Sequence, residues 1–423
     1  MLQVPVTKSR NRRIFLAAGA GMAQRLVQVA ASLATLPLVL HALGVAGFGI
    51  WAAATSLAWL TNMFDLGLGS ALVSLLAGNT PREQHSDYVT ASLHGGSVLA
   101  MLVLAAGAAT LASGVVDVPS TPFLIAGIAI ALNIPLCISN EIWLGLQKAY
   151  YASLWQLAQT LVTLALLVTG ALCRANISEM TAMVYGSMLL TNALSLVHVL
   201  LLHPWLRPHG FPRRAALRTV ITQGGLLFAI TVAASCAYAF DNALALAWLG
   251  PVASAQMAIA MRVCTTAISM LSVLTQPLWP GFADAVAMAD HGWIARIFRQ
   301  GTLVLMAMAL AGSTLIVLYG APVLRWWLHQ DLHISRSLLV AMAAWIITAA
   351  LCHVPGLYLN ATLRLKPQII ILGITAALGF PLKYLAAQTF GVIGILTISP
   401  LLWLGFVAPC YFWLARDALS RAS

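Results

Sequence analysis

Long apolar stretches separated by short polar connections recur along the whole chain. Twelve of them reach about 20 residues or more, the length that an α-helix needs to cross a bilayer. They lie at 14–43, 48–78, 88–113, 121–141, 150–172, 180–202, 219–249, 252–281, 294–319, 335–359, 367–388 and 391–415. The pattern predicts an all-α polytopic membrane protein with about 12 transmembrane helices.

The first apolar stretch follows a basic N-terminal segment and runs from Ile14 to about Leu43. A secretory signal peptide has an apolar region of ~7–15 residues and a cleavage site. The stretch here is about twice that length. We therefore expect an uncleaved first transmembrane helix.

The composition strengthens the membrane assignment. Hydrophobic residues make up 61% of the 423 residues, and charged residues make up 8%. A soluble domain carries about 25% charged residues, so these values exclude a water-soluble globular enzyme. They also exclude a disordered chain, which needs low hydrophobicity and high charge.

The formal net charge of +11 raises the question of a nucleic acid partner. A nucleic-acid-binding surface gathers basic residues on one polar face with aromatic residues between them, whereas here they lie in short patches between apolar stretches. If the N-terminus is cytoplasmic, 16 of the 22 Lys and Arg residues lie in cytoplasmic segments. Three lie on the opposite side (Arg174, Arg325, Arg336) and three lie inside spans (Arg25, Arg262, Lys383). The positive-inside rule therefore predicts a multi-pass protein of the bacterial cytoplasmic membrane with both termini cytoplasmic, and no nucleic acid partner.

A basic segment rich in Pro, Arg and His divides the apolar stretches into two sets of six. We predict an N-terminal lobe over 1–203, a cytoplasmic linker over 204–218 and a C-terminal lobe over 219–423. A weak internal repeat supports the division, because Leu43-Gly44 and Leu249-Gly250 precede corresponding helices with an offset of 206. Duplicated helical halves with a site at their interface are typical of transporters, so we expect two pseudo-symmetric six-helix lobes around a central cavity.

Two sets of residues favour structural roles. The six cysteines lie far apart without a C-x-x-C pair or a histidine at metal spacing, so we expect packing residues and no metal. The tryptophans near span ends are expected to anchor the helices at the membrane surface; they include Trp143, Trp155 and Trp248.

Two motifs carry a family resemblance. Phe48-Gly49-Ile50-Trp51 and Phe64-Asp65-Leu66-Gly67-Leu68-Gly69-Ser70-Ala71, after Leu43-Gly44, resemble the second-helix signature of Wzx-type polysaccharide transporters. These flippases belong to the multidrug/oligosaccharidyl-lipid/polysaccharide exporter superfamily. The turn Gly145-Leu146-Gln147-Lys148, followed by aromatic residues and Gln156, is similar to that family's connection between its fourth and fifth helices.

The resemblance implies a flippase that moves a polyprenyl-pyrophosphate-linked oligosaccharide across the membrane by alternating access. The glycan would serve surface polysaccharide biosynthesis, as O-antigen, capsule or exopolysaccharide. Expected partners are this lipid-linked glycan, membrane lipid, and a polysaccharide polymerase and glycosyltransferases. The related lipid II flippases usually carry two further helices, so a peptidoglycan precursor ranks lower.

Cationic side chains inside the spans are the candidate substrate site. Burying an ionisable group at mid-membrane costs at least ~2.5–3.5 kcal/mol on insertion scales, so such a residue suggests function. We expect Arg25, Arg262 and Lys383 to bind the pyrophosphate, which a guanidinium can contact through two hydrogen bonds. Gln28 shares a helix face with Arg25 and would add a polar cavity contact. The alternatives are that Arg25 and Lys383 reach the membrane surface, or that Arg262 pairs with Asp241.

Acidic side chains inside the spans are the candidate coupling site. Asp65 and Asp241 are the deepest carboxylates, and Asn242 adds an oxygen beside Asp241. We expect no cofactor, with a proton or Na⁺ gradient as the driving force acting through these residues. The alternatives are a salt bridge of Asp65 to Arg25, a helix cap at Asp65, and an ion pair of Asp241 with Arg262.

Two other functions fit the sequence less well. A multidrug or small-molecule cation antiporter of the same superfamily would favour acidic residues in its cavity, whereas this sequence places cations in its spans. An integral-membrane glycosyltransferase or polymerase needs outward loops with catalytic residues. The outward loops here are short, and their main acids are Asp117, Glu179 and Asp331. We therefore expect a transporter without enzymatic activity.

Overall fold

The computed structural model describes residues 6–59, 67–77, 81–112, 120–222, 224–225, 240–275, 278–288, 290–328, 335–362 and 364–416, with most side chains from residue 21 onward. This part of the chain is helical and contains no β-strand. Its α-helices are α1 (Val6–Ser56), α2 (Leu68–Ala77), α3 (Arg82–Ala112), α4 (Ser120–Gly145), α5 (Ala149–Leu172), α6 (Ile177–Leu202), α7 (Asp241–Leu249), α8 (Pro251–Thr275), α9 (Leu278–Ala287), α10 (His291–Leu328), α11 (Arg336–Ala361), α12 (Leu365–Leu402) and α13 (Ala408–Leu414). Residues 214–222 are also helical, Leu57–Trp59 and Pro204–Leu206 form 3₁₀ turns, and Trp403–Val407 forms a π-helical turn.

Within the described residues, nine helical segments are long and apolar enough to cross a membrane. Two of them, Gly21–Ser56 with 36 residues and Lys366–Leu414 with 49, exceed the ~20 residues that one crossing needs. Each contains a glycine with non-helical backbone angles, Gly44 in α1 and Gly391 in α12. Because the breaks fall at boundaries between predicted spans, each of these two long helical segments can account for two crossings. The predicted all-α polytopic membrane fold with about 12 transmembrane helices is confirmed.

Large apolar side chains cover the outer faces of these helices. Examples on α3, α5 and α12 are Met101, Leu102, Leu172 and Leu385, all of them exposed. Contiguous exposed apolar surface of this kind is rare on soluble monomers and marks a surface that contacts lipid or a partner. The exposure pattern therefore fits a protein whose helices lie in a bilayer.

The chain forms two compact units. Unit 1 comprises the described residues of Met1–Leu43 and Ala54–Thr231, and unit 2 comprises those of Gly44–Ala53 and Val232–Ser423. The short segment Gly44–Ala53 is therefore part of unit 2, although its neighbours in the chain belong to unit 1. Within unit 2, Ser254 Oγ donates a hydrogen bond to the carbonyl of Gly49 over 2.9 Å. A Cβ atom on Gly49 would lie 1.8 Å from the Pro251 carbonyl oxygen, so only glycine fits there.

The two glycines matched by the internal repeat share a backbone conformation. Gly44 has φ 69° and ψ 173°, and Gly250 has φ 91° and ψ −179°. Residues other than glycine rarely adopt these positive φ values. The Leu-Gly pairs therefore mark the same local break before corresponding helices in the two halves of the chain.

The central polar segment, which the sequence predicts as a cytoplasmic linker over 204–218, is folded onto unit 1. Leu206 is fully buried in a cluster that also contains Leu72 of α2, Trp143 of α4 and Val199 of α6. Val220, in the helical residues that follow, belongs to the same cluster. The segment predicted as a cytoplasmic linker therefore contributes to the core of unit 1 and returns to helix at residue 214.

Candidate functional site

An ion pair in unit 2 joins the first residue of α7 to the middle of α12. Lys383 Nζ donates to Asp241 Oδ1 over 2.6 Å. Both residues are buried, with 2% of Asp241 and 4% of Lys383 exposed. A carboxylate and an ammonium removed from water in this way stabilise each other, because removal of either one would leave a buried charge without a counter-ion.

The packing of α7 on α12 turns Lys383 inward. Trp248, two helical turns after Asp241, packs edge-on against Phe380 at 5.5 Å and Tyr384 at 5.2 Å between ring centroids. Around Lys383 the side chains of Leu382, Tyr384 and Leu385 are exposed, so only Lys383 on this turn faces the interior. Pro381 lies in the same turn of α12, and a proline removes a backbone hydrogen bond and bends a helix.

Two oxygens beside the ion pair lack hydrogen-bond donors. Asp241 Oδ2 and Asn242 Oδ1 are buried, and no side chain or backbone group of the described residues donates to them. The backbone carbonyl of Asn242 is satisfied by Ser254 Oγ at 3.1 Å. The start of α7 therefore presents two buried acceptors that a proton or a cation could use.

Arg262 lies on α8 of unit 2 and is half-buried. Its neighbours Met257 and Cys264 are fully buried in the packing of α8. Within the described residues, no carboxylate lies at salt-bridge distance from Arg262. The sequence offered Asp241 as its structural partner, and the structure corrects that alternative, because Asp241 pairs with Lys383 instead.

The ion pair also corrects the alternative that placed Lys383 at the membrane surface, because this lysine is buried. The sequence had assigned Lys383 to the pyrophosphate and Asp241 to ion coupling. The structure brings the two candidate groups together at one place, 142 residues apart in the chain.

The remaining candidate residues belong to unit 1 or lie outside the described residues. Arg25 and Gln28 are exposed on α1. Gln24, which precedes Arg25, is buried and donates through Nε2 to Gln28 Oε1 over 3.1 Å. Asp65 lies outside the described residues.

A polar and aromatic cluster in unit 1 was not predicted from the sequence. His198 of α6 lies among three rings, with centroid distances of 5.3 Å to Trp143, 5.4 Å to Tyr151 and 5.8 Å to Trp155. Trp155 Nε1 donates to His198 Nδ1 over 3.2 Å. The expectation that Trp143 anchors the membrane surface is wrong, since this residue is fully buried and its Nε1 donates to Ser195 Oγ over 3.1 Å. The only sequence signal for Trp143 was its position near a span end, and such a position fits both a membrane surface and a buried core.

The family-like turn at 145–148 ends beside this cluster. Lys148 Nζ donates to His203 Nε2 over 3.0 Å, and His203 Nδ1 contacts the Val199 carbonyl oxygen at 3.2 Å. His203 follows the last residue of α6. Burial and the positive charge of Lys148 lower its pKa below the usual 6.5, against a smaller opposing effect of the Val199 carbonyl. His203 is therefore the neutral acceptor of the Lys148 ammonium.

Polar contacts from Asp87 and Ser86 also hold the central polar segment on α3. Asp87 Oδ2 lies 3.2 Å from Arg213 Nη1, and Asp87 Oδ1 lies 3.3 Å from His209 Nε2. Ser86 Oγ donates to the Arg207 carbonyl over 2.7 Å. Arg213 and His209 are mostly exposed, whereas Asp87 is buried, so these contacts hold the segment against α3 with its basic side chains facing outward.

Comparisons with known proteins identify a family and a fold. The profile of the family described as "Polysaccharide biosynthesis protein" matches residues 18–286. No match was found among curated protein sequences.

Several solved membrane transporter structures resemble the chain. An inward-facing multidrug resistance MATE family transporter of the MOP superfamily has a TM-score of 0.74 at 15% identity, covering 96% of this chain and 99% of that one. An outward-facing structure of such a transporter gives 0.65 at 15% identity, covering 97% and 96%. The lipid II flippase MurJ in an inward closed conformation gives 0.71 at 12% identity, covering 96% and 90%. At these identities the likeness shows the fold.

Proposed function

Because the chain belongs to the polysaccharide biosynthesis protein family, we propose that it is a flippase for a polyprenyl-pyrophosphate-linked oligosaccharide. The observation that carries the proposal is the family match over residues 18–286, in a multi-pass membrane protein with the MOP-superfamily fold. The glycan would be destined for O-antigen, capsule or exopolysaccharide. The polyprenyl tail would remain in lipid while the sugar crosses by alternating access between the membrane faces.

We place the protein in the bacterial cytoplasmic membrane with both termini in the cytoplasm. The distribution of Lys and Arg supports this orientation through the positive-inside rule. Cytoplasmic glycosyltransferases would supply the lipid-linked glycan, and a polysaccharide polymerase would use it on the other side. The protein itself would make or break no covalent bond.

The pyrophosphate would be bound by Arg25 and Arg262, with Gln28 as a polar neighbour. Supporting this assignment, Arg25 is exposed on α1, and Arg262 has no carboxylate partner within the described residues. A guanidinium contacts phosphate oxygens through two hydrogen bonds, which gives the site both affinity and orientation.

Lys383 would join this site only when Asp241 releases it. Protonation of Asp241 would leave the Lys383 ammonium buried without a counter-ion, at a cost of several kcal/mol by the desolvation argument. The pyrophosphate would then supply the missing negative charge. Proton binding and substrate binding would therefore favour each other, so the two binding events would be energetically linked.

The acceptors beside the pair support a coupling role for this site. Asp241 Oδ2 and Asn242 Oδ1 are two buried oxygens to which no group of the described residues donates, and a proton or Na⁺ would bind there. Asp65 would be the second coupling carboxylate. A bend at Pro381 would let α12 move Lys383 between its two partners.

The second candidate is a multidrug or small-molecule cation antiporter of the same superfamily. The likeness to MATE transporters is the observation that favours it. A cationic substrate would need a carboxylate as its counter-ion. The buried pair opposes this function, because Lys383 already neutralises Asp241.

Transport by the purified protein in vesicles tests the proposal. We expect translocation of a fluorescent polyprenyl-diphosphate-linked oligosaccharide, and a loss of at least tenfold in rate in Arg25→Ala and Arg262→Ala. Arg325→Ala, which removes an exposed arginine from the last turn of α10, is the matched control and should keep the wild-type rate. Transport of a cationic dye without transport of the lipid-linked oligosaccharide would overturn the proposal in favour of the antiporter.

A further inference from the structure

A groove in unit 2 lies between the first turns of α11 and the second half of α12. Its volume is about 450 Å³, and it is lined by Arg336, Ser337, Val340, Ala341, Ala344, Ile393 and Thr397. The five residues from α11 lie on one face of that helix and span about 12 Å along its axis at ~1.5 Å per residue. The α12 side begins two residues after the break at Gly391.

The polar donors of the groove are confined to one end. Arg336 and Ser337 are exposed there, whereas Val340, Ala341, Ala344 and Ile393 line the remainder with apolar atoms. Thr397 Oγ1 donates to the carbonyl of Ile393 in its own helix over 2.6 Å, so its hydroxyl hydrogen is already used. The groove is therefore cationic at one end and apolar along its length.

The charge of Arg336 has no acidic partner among the described residues. No carboxylate in the described part of the chain lies at salt-bridge distance from this guanidinium. With both termini cytoplasmic, Arg336 would be one of three basic residues on the outer side, against 16 on the cytoplasmic side. A basic residue in that position runs against the positive-inside rule, so topology does not account for it.

We propose that this groove binds the polyprenyl diphosphate of the translocated lipid in the outer leaflet, with the diphosphate on Arg336 and the first isoprene units along Val340, Ala341 and Ala344. The inference rests on the proposed function and adds an exit site to it. The guanidinium and the Ser337 hydroxyl match the phosphate oxygens, and the apolar walls match a branched hydrocarbon chain. The site would hold the lipid after it has left Arg25 and Arg262.

Photo-crosslinking from the groove tests binding without requiring transport. Val340 is exposed, and p-benzoylphenylalanine in its place would label a radioactive polyprenyl diphosphate in nanodiscs. We expect Arg336→Gln to reduce labelling at least fivefold, because it removes the charge that holds the diphosphate. Ala344→Phe should do the same by filling the groove.

Matched controls separate the site from general effects. Arg325→Gln removes another exposed outer-side arginine, and Val323→Phe adds the same bulk to an exposed apolar position of α10. Both should leave labelling at the wild-type level. Equal labelling in Arg336→Gln and the wild-type protein would overturn the proposal.

Competition identifies which part of the ligand is recognised. Unlabelled polyprenyl diphosphate should compete at least tenfold better than polyprenol, inorganic pyrophosphate or phosphatidylglycerol. Equal competition by phosphatidylglycerol would show a general phospholipid contact, and equal competition by polyprenol would show an apolar groove without head-group recognition. Either result would overturn the exit site.

The outcomes for the exit site and for the proposed function are distinguishable. Specific labelling by a protein that fails to move the oligosaccharide in vesicles would contradict only the proposed function. Normal transport by a protein whose labelling is insensitive to Arg336→Gln would contradict only the exit site.

Discussion

Lys148 in unit 1 and Lys383 in unit 2 each donate a hydrogen bond to a side chain from another helix or loop, but the two contacts differ in charge and in burial. Lys148 contacts a neutral histidine, His203, at the end of α6, and both residues are only half-buried. Lys383 contacts the carboxylate of Asp241 and is buried with it. Both lysines carry a charge, so charge alone does not distinguish them. Lys383 is the functional candidate because it is buried together with a carboxylate.

The difference predicts unequal costs when each contact is broken. An ammonium at the surface recovers most of its hydration when its partner is lost, and exposed pairs contribute about 0–1 kcal/mol. An ammonium inside the protein has no such alternative, and removing its counter-ion costs about 3–5 kcal/mol.

The largest effect is expected for Asp241→Asn, which leaves Lys383 buried without a counter-ion. The free energy of unfolding in mixed micelles should fall by about 3–5 kcal/mol. The double variant Asp241→Leu with Lys383→Met removes both charges and should recover most of this loss, as apolar replacements of buried pairs do. A single variant as stable as the wild-type protein would show that the pair is not held away from water.

A smaller effect is expected for Trp143→Phe in unit 1. The change keeps an aromatic ring but removes the Nε1–H donor to Ser195, whose hydroxyl is buried. The loss of a neutral buried hydrogen bond should cost about 1–2 kcal/mol in chemical unfolding. Ser195→Ala removes the other partner and should combine with Trp143→Phe less than additively. Additive losses would contradict a direct bond.

Asp87→Asn should cost about 1 kcal/mol, because Asp87 is buried but its partners Arg213 and His209 are mostly exposed to water. Limited proteolysis should detect faster cleavage after the arginines of residues 207–218. High salt should speed cleavage of the wild-type protein and have little further effect on the variant, since salt screens exposed pairs. A salt effect of equal size in both proteins would contradict the role of Asp87.

The smallest effect is expected from the contact between Lys148 and His203, and it should depend on pH. His203 has a lowered pKa, so the unfolded chain takes up a proton before the folded protein does. The stability due to neutral His203 is present above its usual pKa of 6.5 and is lost as the pH falls below it. Lys148→Met removes one of the causes that lower the pKa of His203, so the melting temperature of the variant should fall less between about pH 7.5 and pH 5.5. A steeper fall in the variant would contradict the assignment.

The helices were predictable because their signal is local. A run of about 20 apolar residues is sufficient to define a crossing, and the break at Gly44 falls between the first two predicted spans. The shared positive φ of Gly44 and Gly250 could be expected from the repeat. The assignment of Gly44–Ala53 to unit 2 could not be predicted, because it depends on how residues distant in the sequence pack together.

The candidate site was predictable only as a set of residues. Asp241 and Lys383 were identified because charges inside spans are costly, yet the sequence assigned them different roles. Their pairing depends on the packing of Trp248 between Phe380 and Tyr384, which hydropathy does not encode. The cluster around His198 was missed for a related reason, since its aromatic residues fit both a membrane surface and a buried core.

The most direct test of the account is the pH dependence of polyprenyl diphosphate binding to the wild-type protein and to Asp241→Asn. If Lys383 exchanges Asp241 for the diphosphate, binding to the wild-type protein must take up one proton more than binding to the variant. Wild-type affinity should rise more steeply as the pH falls, while Asp241→Asn should bind tightly throughout, and titration of the diphosphate itself cancels in the comparison. Identical pH dependence in the two proteins, at equal affinity, would contradict the exchange of partners on which the proposed coupling rests.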